Sequence, residues 1–103
     1  KVSYITDTRP IGNILDFIRE SQLLICEGTY GDDEDLQKAI NNKHMTFSEA
    51  ASLAYKANVG ELLLTHFNPV MDDPQLYTKN AAKVFSNTII GYDRFTKTLS
   101  FND

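Results

Sequence analysis

Four side chains with acid–base or metal-binding chemistry stand beside predicted strands or helices, three of them at the same kind of position. Asp7, Glu27 and His66 each follow directly on an apolar, β-rich run, and His44 comes immediately before a predicted helix. Parallel strands of an open α/β sheet bring their carboxyl ends to one edge, where ligands and reacting groups collect. The sequence therefore predicts that these side chains gather at one edge of a sheet.

A carboxylate and an imidazole at such an edge could meet at a metal. A carboxylate can bridge two divalent cations, and neutral imidazole is the commonest nitrogen ligand. A two-metal site activates water and stabilises charge on a phosphoryl group, while an uncoordinated histidine can move a proton. Two ligands are too few for zinc, however, and the chain contains two histidines in all. It cannot complete a histidine-rich site by itself.

Each of these residues also has an ordinary interpretation. Asp7 can cap a turn or helix, and Glu27 can form an ion pair with Arg9 or Lys43. The first histidine of the chain can be an exposed loop residue, and the second can be a core residue bonded to backbone. Taken singly, none of the residues identifies a site, so the hypothesis depends on their clustering.

The predicted elements follow the order β-α-β-α-α-β-α-β-β, which indicates an α/β layered fold. Strands are predicted over 2–6, 23–26, 62–65, 88–90 and 94–101, and helices over 11–20, 36–41, 46–58 and 74–85. Thr46 and Glu49 have the spacing of a capping box, and Gly60 suits a helix stop. The acidic run 32–35 is typical of a helix start, because carboxylates suit that end of the dipole. A calcium site there is the alternative, although the spacing does not match an EF-hand loop.

Composition narrows the function classes. The chain has 103 residues, so it is expected to be one domain or part of one, and its net charge of −4 does not indicate nucleic-acid binding by this segment alone. The lone Cys26 cannot form an internal disulfide, which favours a reduced, cytoplasmic setting. No stretch approaches the roughly 18 apolar residues of a membrane span. Since Lys1 leads directly into a strand, we expect the chain to have been cut from a longer protein.

Four segments match one known family in order and with comparable gaps. They are Tyr4-Ile5-Thr6-Asp7-Thr8-Arg9-Pro10, Ile25-Cys26-Glu27-Gly28-Thr29, His44-Met45-Thr46 and Leu63-Leu64-Thr65-His66-Phe67. Together they resemble the C-terminal part of ribonuclease Z, the tRNA 3′-processing endonuclease of the metallo-β-lactamase superfamily. The resemblance extends from the first strand to about residue 101.

The resemblance implies a role for each matching position. Asp7 would bridge two zinc ions, and His66 would be the last zinc-binding histidine. His44 would assist proton transfer at the scissile phosphate, and Glu27 would help to hold that histidine, so both are predicted catalytic residues. Thr46 is predicted to bind substrate, because it starts a helix whose backbone donors could face a phosphate.

The sequence departs from the family pattern in the residues around these positions. Where the family has Gly-Asp-Thr, this chain has Thr6-Asp7-Thr8. The family's His-Glu-Ala-Thr is replaced by Cys26-Glu27-Gly28-Thr29, and its His-Ser-Thr by His44-Met45-Thr46. These changes keep the predicted ligands and affect the expected substrate preference. The family's His-x-His-x-Asp-His motif, a further zinc histidine and the tRNA-gripping arm lie upstream of the first residue.

The resemblance thus implies that residues 1–103 form the C-terminal half-domain of a metallo-β-lactamase αββα sandwich, without the N-terminal half and its histidine-rich motif. The complete protein would be a cytoplasmic, zinc-dependent endoribonuclease that removes the 3′ trailer from precursor tRNA. The segment alone would be inactive, with an incomplete two-zinc site. Expected partners are precursor tRNA, the missing half-domain and, through the exposed sheet face, a second copy in a homodimer.

Two alternatives stay open at this stage. One is another metallo-β-lactamase-fold hydrolase, a phosphodiesterase or arylsulfatase-like enzyme, which would share Asp7 and His66 without needing His44. The other is a non-enzymatic α/β signalling or interaction module, in which Asp7 would accept a phosphoryl group.

Overall fold

A four-stranded parallel sheet organises the chain. The computed structural model describes residues 1–6, 8–10, 12–68, 71 and 73–91. Within them the strands lie side by side in chain order: β1 (Val2–Ile5), β2 (Leu23–Glu27), β3 (Glu61–Thr65) and β4 (Thr88–Ile90). The predicted α/β class is confirmed. The predicted edge strand over 94–101 lies outside the described residues.

Four helices connect the strands: α1 (Ile14–Ile18), α2 (Leu36–Asn42), α3 (Phe47–Lys56) and α4 (Thr78–Ala82). Crossovers between neighbouring parallel strands are right-handed. In a sheet whose strands follow the order of the chain, the connections therefore lie on one face. The main core agrees with this, because Ile18 of α1, Ala50 of α3 and Ala81 of α4 share it with Leu24 and Leu64 of the strands.

The opposite face of the sheet is also apolar. Tyr4, Ile25, Leu63 and Ile89 pair in register, one from each strand, and form a continuous row across the sheet. None of the four belongs to the main core, and Tyr4 is 52% exposed. A sheet that is apolar on both faces but has its main core on one is what one half of a sandwich requires.

Helix α3 begins at the predicted capping box, which the structure confirms. The Thr46 hydroxyl accepts from the Glu49 backbone N–H, and the Glu49 carboxylate accepts from the Thr46 N–H. Buried Ala50, Ala51 and Ala54 follow, and their short side chains let the helix lie close to the sheet. The cap thus fixes the helix directly after the His44 position.

The sequence predicts a helix stop at Gly60, but the helix ends earlier and this prediction is wrong. Helix α3 ends at Lys56, and Asn58 rather than glycine takes the left-handed conformation, with a φ of 56°. A Cβ atom added at Gly60 would lie 2.7 Å from the carbonyl oxygen of Gln22. Glycine is required there because the chain passes close to the backbone that leads into β2.

Two other helices are shorter than predicted. Helix α1 was expected over 11–20 but covers Ile14–Ile18, and Glu20 is left-handed with a φ of 58°, which is incompatible with a continuing helix. The helix expected over 74–85 is a 3-10 turn, Pro74–Tyr77, followed by α4. The apolar spacing identified both helices, but it did not show where the backbone leaves helical geometry.

The acidic run starts a helix, as the sequence predicts. Asp33–Asp35 forms a 3-10 turn that continues into α2, and the Asp32 carboxylate accepts from the Glu34 N–H. None of the described helices has the length and apolar character needed to cross a lipid bilayer.

Candidate active site

A buried carboxylate joins three loops at the carboxyl edge of the sheet. Glu27, at the end of β2, is 1% exposed. It accepts hydrogen bonds from the Thr8 backbone N–H at 2.9 Å and from the Thr29 hydroxyl, and its Oε2 lies 2.9 Å from Nδ1 of His44. A buried charge is tolerated only when such donors satisfy it. Glu27 therefore fixes its three partners relative to one another.

His44 is held both by its ring and by its backbone. Its N–H donates to the Ala39 carbonyl in the last turn of α2, at 2.9 Å, and its own carbonyl accepts from Arg9 at 2.8 Å. The side chain is 29% exposed. With Nδ1 directed at Glu27, the opposite edge of the imidazole is directed away from the carboxylate. This is the arrangement in which a carboxylate orients a histidine for proton transfer.

His66 follows β3 in an unusual backbone conformation. Its φ is 57°, in the left-handed region that few residues other than glycine occupy. Nδ1 lies 3.2 Å from the Thr65 hydroxyl and 3.4 Å from the Tyr4 hydroxyl, and the side chain is exposed. The alternative of a core histidine bonded to backbone is therefore wrong. Backbone strain of this kind is concentrated at functional positions.

Both histidines line one cleft of about 330 Å³. Its wall consists of polar and aromatic residues from the loops after β2 and β3 and from the end of α2: Thr29, Tyr30, Asn42, His44, His66, Phe67 and Asn68. A cleft of equal volume between the loop after β1 and α3 contains no histidine. Of these two clefts, the histidine-lined one therefore combines imidazole groups with the loops at the carboxyl edge of the sheet and is the candidate site.

The metal ligand predicted at Asp7 lies outside the described residues. Among the residues that the structure does describe, no group of three or more histidine, cysteine, aspartate or glutamate side chains could hold a metal ion. His66 meets the requirement for a single ligand, because the hydrogen bonds of its ring with described residues use Nδ1 and leave Nε2 available. Further ligands would have to come from elsewhere.

Thr46 is 2% exposed and serves the helix cap with both its hydroxyl and its backbone N–H. Its predicted contact with substrate stays a prediction. The catalytic roles predicted for His44 and Glu27 and the ligand roles predicted for Asp7 and His66 are likewise predictions, to which the contacts of Glu27 add a physical basis.

The alternative pairing of Glu27 with Arg9 or Lys43 is wrong. Arg9 instead forms a bidentate ion pair with Glu49, with Nη1–Oε1 at 2.6 Å and Nη2–Oε2 at 2.5 Å. Sequence reasoning missed this pair because its members lie 40 residues apart. The sequence gives no local signal for a contact over that distance.

Cys26 lies on the helix-covered face of β2 and is buried. Burial, with the neighbouring charge of Glu27, raises the pKa of its thiol far above the ordinary range. It is therefore a packing residue rather than a nucleophile or metal ligand.

The whole chain aligns with part of a named enzyme. It is 63% identical to ribonuclease Z of Clostridium beijerinckii over all 103 residues, which make up 33% of that protein. It is 57% identical to ribonuclease Z of Clostridioides difficile, again over its full length and over 34% of that protein. The chain is therefore similar to the C-terminal part of ribonuclease Z. It spans about a third of the length of these relatives. No protein-family model matches the chain.

Solved structures identify the fold of the chain. The metallo-β-lactamase fold protein YhfI of Bacillus subtilis is 31% identical with a TM-score of 0.75, over 86% of this chain and 35% of that protein. Human tRNase Z, short form, is 26% identical with a TM-score of 0.62, over 82% of this chain and 27% of that protein. The chain has part of the metallo-β-lactamase fold, as the ribonuclease Z resemblance implies.

Proposed function

We propose that this chain supplies the proton-transfer histidine and two metal ligands of an endoribonuclease that removes the 3′ trailer from precursor tRNA. The observation that carries the proposal is the pair formed by buried Glu27 and His44 beside His66 in one cleft. The relatives support it, because they are ribonuclease Z proteins with up to 63% identity over the whole chain.

In this mechanism Glu27 orients His44 so that the imidazole presents its other nitrogen to the cleft. That nitrogen would hold or deliver a proton at the oxygen of the scissile phosphodiester bond. Asp7 and His66 would hold zinc, whose role when bound is to activate water and neutralise phosphoryl charge. The remaining ligands and most of the RNA-binding surface would come from the two thirds of the enzyme that this chain does not match.

The proposal accounts for the composition. With 14 acidic and 10 basic side chains, this segment does not carry the excess of cations that phosphate binding requires. We therefore propose that the 103-residue chain alone does not cleave precursor tRNA, and that cleavage requires the remaining part of the enzyme.

A hybrid enzyme tests this directly. The matching third of Clostridium beijerinckii ribonuclease Z is replaced by this chain, and cleavage of precursor tRNA is measured beside zinc content. The hybrid is expected to cleave, and the chain alone is not. The variant His44→Ala should reduce kcat by roughly 100- to 10,000-fold, as for loss of a general acid–base, with zinc retained. The variant His66→Ala should lose zinc.

Lys38→Ala, at an exposed position of α2, is the matched control and should leave precursor-tRNA cleavage and zinc content unchanged. A hybrid that folds and binds zinc but does not cleave precursor tRNA would refute the proposal. A His44→Ala hybrid that keeps full activity on a simple phosphodiester would instead support the alternative of another metallo-β-lactamase-fold hydrolase.

A further inference from the structure

We propose that Arg9 is a positioning residue that ties the loop after β1 to the His44 loop, defined as residues 44–46. Its catalytic consequence rests on the proposed function. The effect of Arg9 on the order and orientation of the His44 imidazole does not rest on it, because that effect can be observed in the chain itself.

Arg9 bridges two parts of the structure that are distant in sequence. Nη1 donates to the His44 carbonyl at 2.8 Å and to Glu49 Oε1 at 2.6 Å, while Nη2 donates to Glu49 Oε2 at 2.5 Å. The Arg9 and Glu49 side chains are 20% and 18% exposed. The two terminal nitrogens of a guanidinium can bind both carboxylate oxygens and the carbonyl at once, which the single nitrogen of lysine cannot do in the same geometry.

The Glu49 carboxylate also binds the last residue of the His44 loop. Glu49 Oε1 accepts from the Thr46 N–H at 3.1 Å, as part of the capping box. Arg9 thus contacts the first residue of the loop directly and the last residue through Glu49. Between them, Met45 is buried, and its carbonyl accepts from the Tyr30 N–H at 3.3 Å.

The loop after β1 is itself well placed for this role. Thr8 donates its backbone N–H to Glu27, which is the carboxylate that faces the His44 ring. Arg9 precedes Pro10, so its backbone is restricted to extended conformations. One short loop therefore reaches the ring of His44 through Glu27 and its backbone through Arg9, and a displacement of either contact would move the imidazole.

The first test observes the His44 imidazole in the 103-residue chain by nuclear magnetic resonance. Arg9→Ala is expected to shift and broaden the Cε1–H resonance of His44, because the ring loses its fixed backbone. The resonance of His66, the other histidine, should not change. Arg19→Ala removes an exposed arginine that pairs with Asp16 at 3.0 Å and is the matched control, with no expected change at either ring.

Arg9→Lys keeps the charge and protects the test against a loss of folding in the alanine variant. Lysine is one bond shorter and has a single nitrogen, so it cannot hold both Glu49 oxygens and the His44 carbonyl as the guanidinium does, and a smaller shift of the His44 resonance is expected. A His44 resonance that is unchanged in Arg9→Lys, or in a folded Arg9→Ala, would overturn the inference.

The second test uses the hybrid enzyme. Arg9→Ala should lower kcat by up to about 100-fold, the effect of a small displacement of a reacting group, with KM and zinc content unchanged. A loss of helix stability alone would lower the melting temperature without this separation of kcat from KM. If the parent hybrid does not cleave precursor tRNA, the proposed function fails while the resonance test of Arg9 still decides this inference.

Discussion

His66 combines a predicted ligand role with a backbone conformation that favours glycine, and this makes a sharp prediction about stability. Its φ is 57°, and since glycine and alanine both remove the ring and its contacts with Tyr4 and Thr65, a comparison of the two variants isolates the backbone. Replacing it with glycine should relieve the strain, whereas replacing it with alanine should not. We therefore expect His66→Gly to be more stable than His66→Ala.

The magnitude follows from two opposing effects. A non-glycine residue in the left-handed region carries roughly 1–2 kcal/mol of unfavourable free energy. Glycine avoids this cost but loses about 0.5–1 kcal/mol through the greater freedom of its unfolded chain. The difference in unfolding free energy between the glycine and alanine variants should be about 0.5–1 kcal/mol. For a chain of this length that corresponds to a difference in Tm of roughly 2–8 °C.

Urea and thermal unfolding of both variants, followed by circular dichroism, measure this difference. Glu20, also left-handed with a φ of 58° but remote from the cleft, is the matched control and should show the same sign. Tyr55, exposed within α3, should show the opposite sign, because glycine is worse than alanine inside a helix. If His66→Gly were less stable than His66→Ala while both controls behaved as expected, the strain argument for His66 would be refuted.

Three further predictions concern the scaffold around the site. Gly60→Ala should destabilise the chain by about 1–3 kcal/mol, because the added methyl group would lie 2.7 Å from the Gln22 carbonyl, and an unchanged urea midpoint would contradict this close approach. Thr46→Ala should cost about 1 kcal/mol through loss of the cap on α3, whereas Thr46→Ser should retain most of the stability; equal losses in urea unfolding would disprove the capping role. Burial raises the pKa of the Cys26 thiol, so in alkaline solution the folded state keeps a proton that the unfolded state releases. The thiol's contribution to stability is therefore complete below the unfolded pKa of about 8.5 and declines as pH rises above it. The free energy of unfolding should therefore fall more steeply between pH 8 and pH 10 in the parent chain than in Cys26→Ala, and parallel profiles would refute this.

The strands could be predicted from the sequence because their residues face apolar surroundings on both sides. Leu24 and Leu64 belong to the main core, while Leu63 lies on the opposite face, so the runs read as continuous apolar segments. The helix ends could not be predicted equally well. Glu20 takes a left-handed conformation that glutamate rarely adopts, so its residue type does not indicate that the helix has ended. Asn58 is also left-handed, as asparagine often is after a helix, but the apolar spacing continues to Ala57 and does not show that α3 ends at Lys56.

The residues of the candidate site could be predicted, but only some of their contacts could. Strand ends and the order of the motifs identified Glu27, His44 and His66 as candidates. The pairing of Glu27 with His44 followed from the family resemblance rather than from local pattern. The ion pair between Arg9 and Glu49 joins residues 40 positions apart, and each already had another plausible role. Pairing across such a separation depends on the tertiary fold, which local spacing does not encode.

The contacts of Glu27 explain why the loops of the site should become ordered together. A carboxylate that is 1% exposed requires its donors, and these come from the loop after β1, the loop after β2 and the loop before α3. Loss of any donor leaves a buried charge with incomplete hydrogen bonding, so intermediate arrangements are unfavourable. Arg9 strengthens the same coupling, because it joins the first and third of these loops by a second route. His66 differs, since it stands on the exposed and strained edge of the cleft. Its position is set by the backbone of β3, which leaves the ring available for a ligand while the histidine beside Glu27 is held for proton transfer.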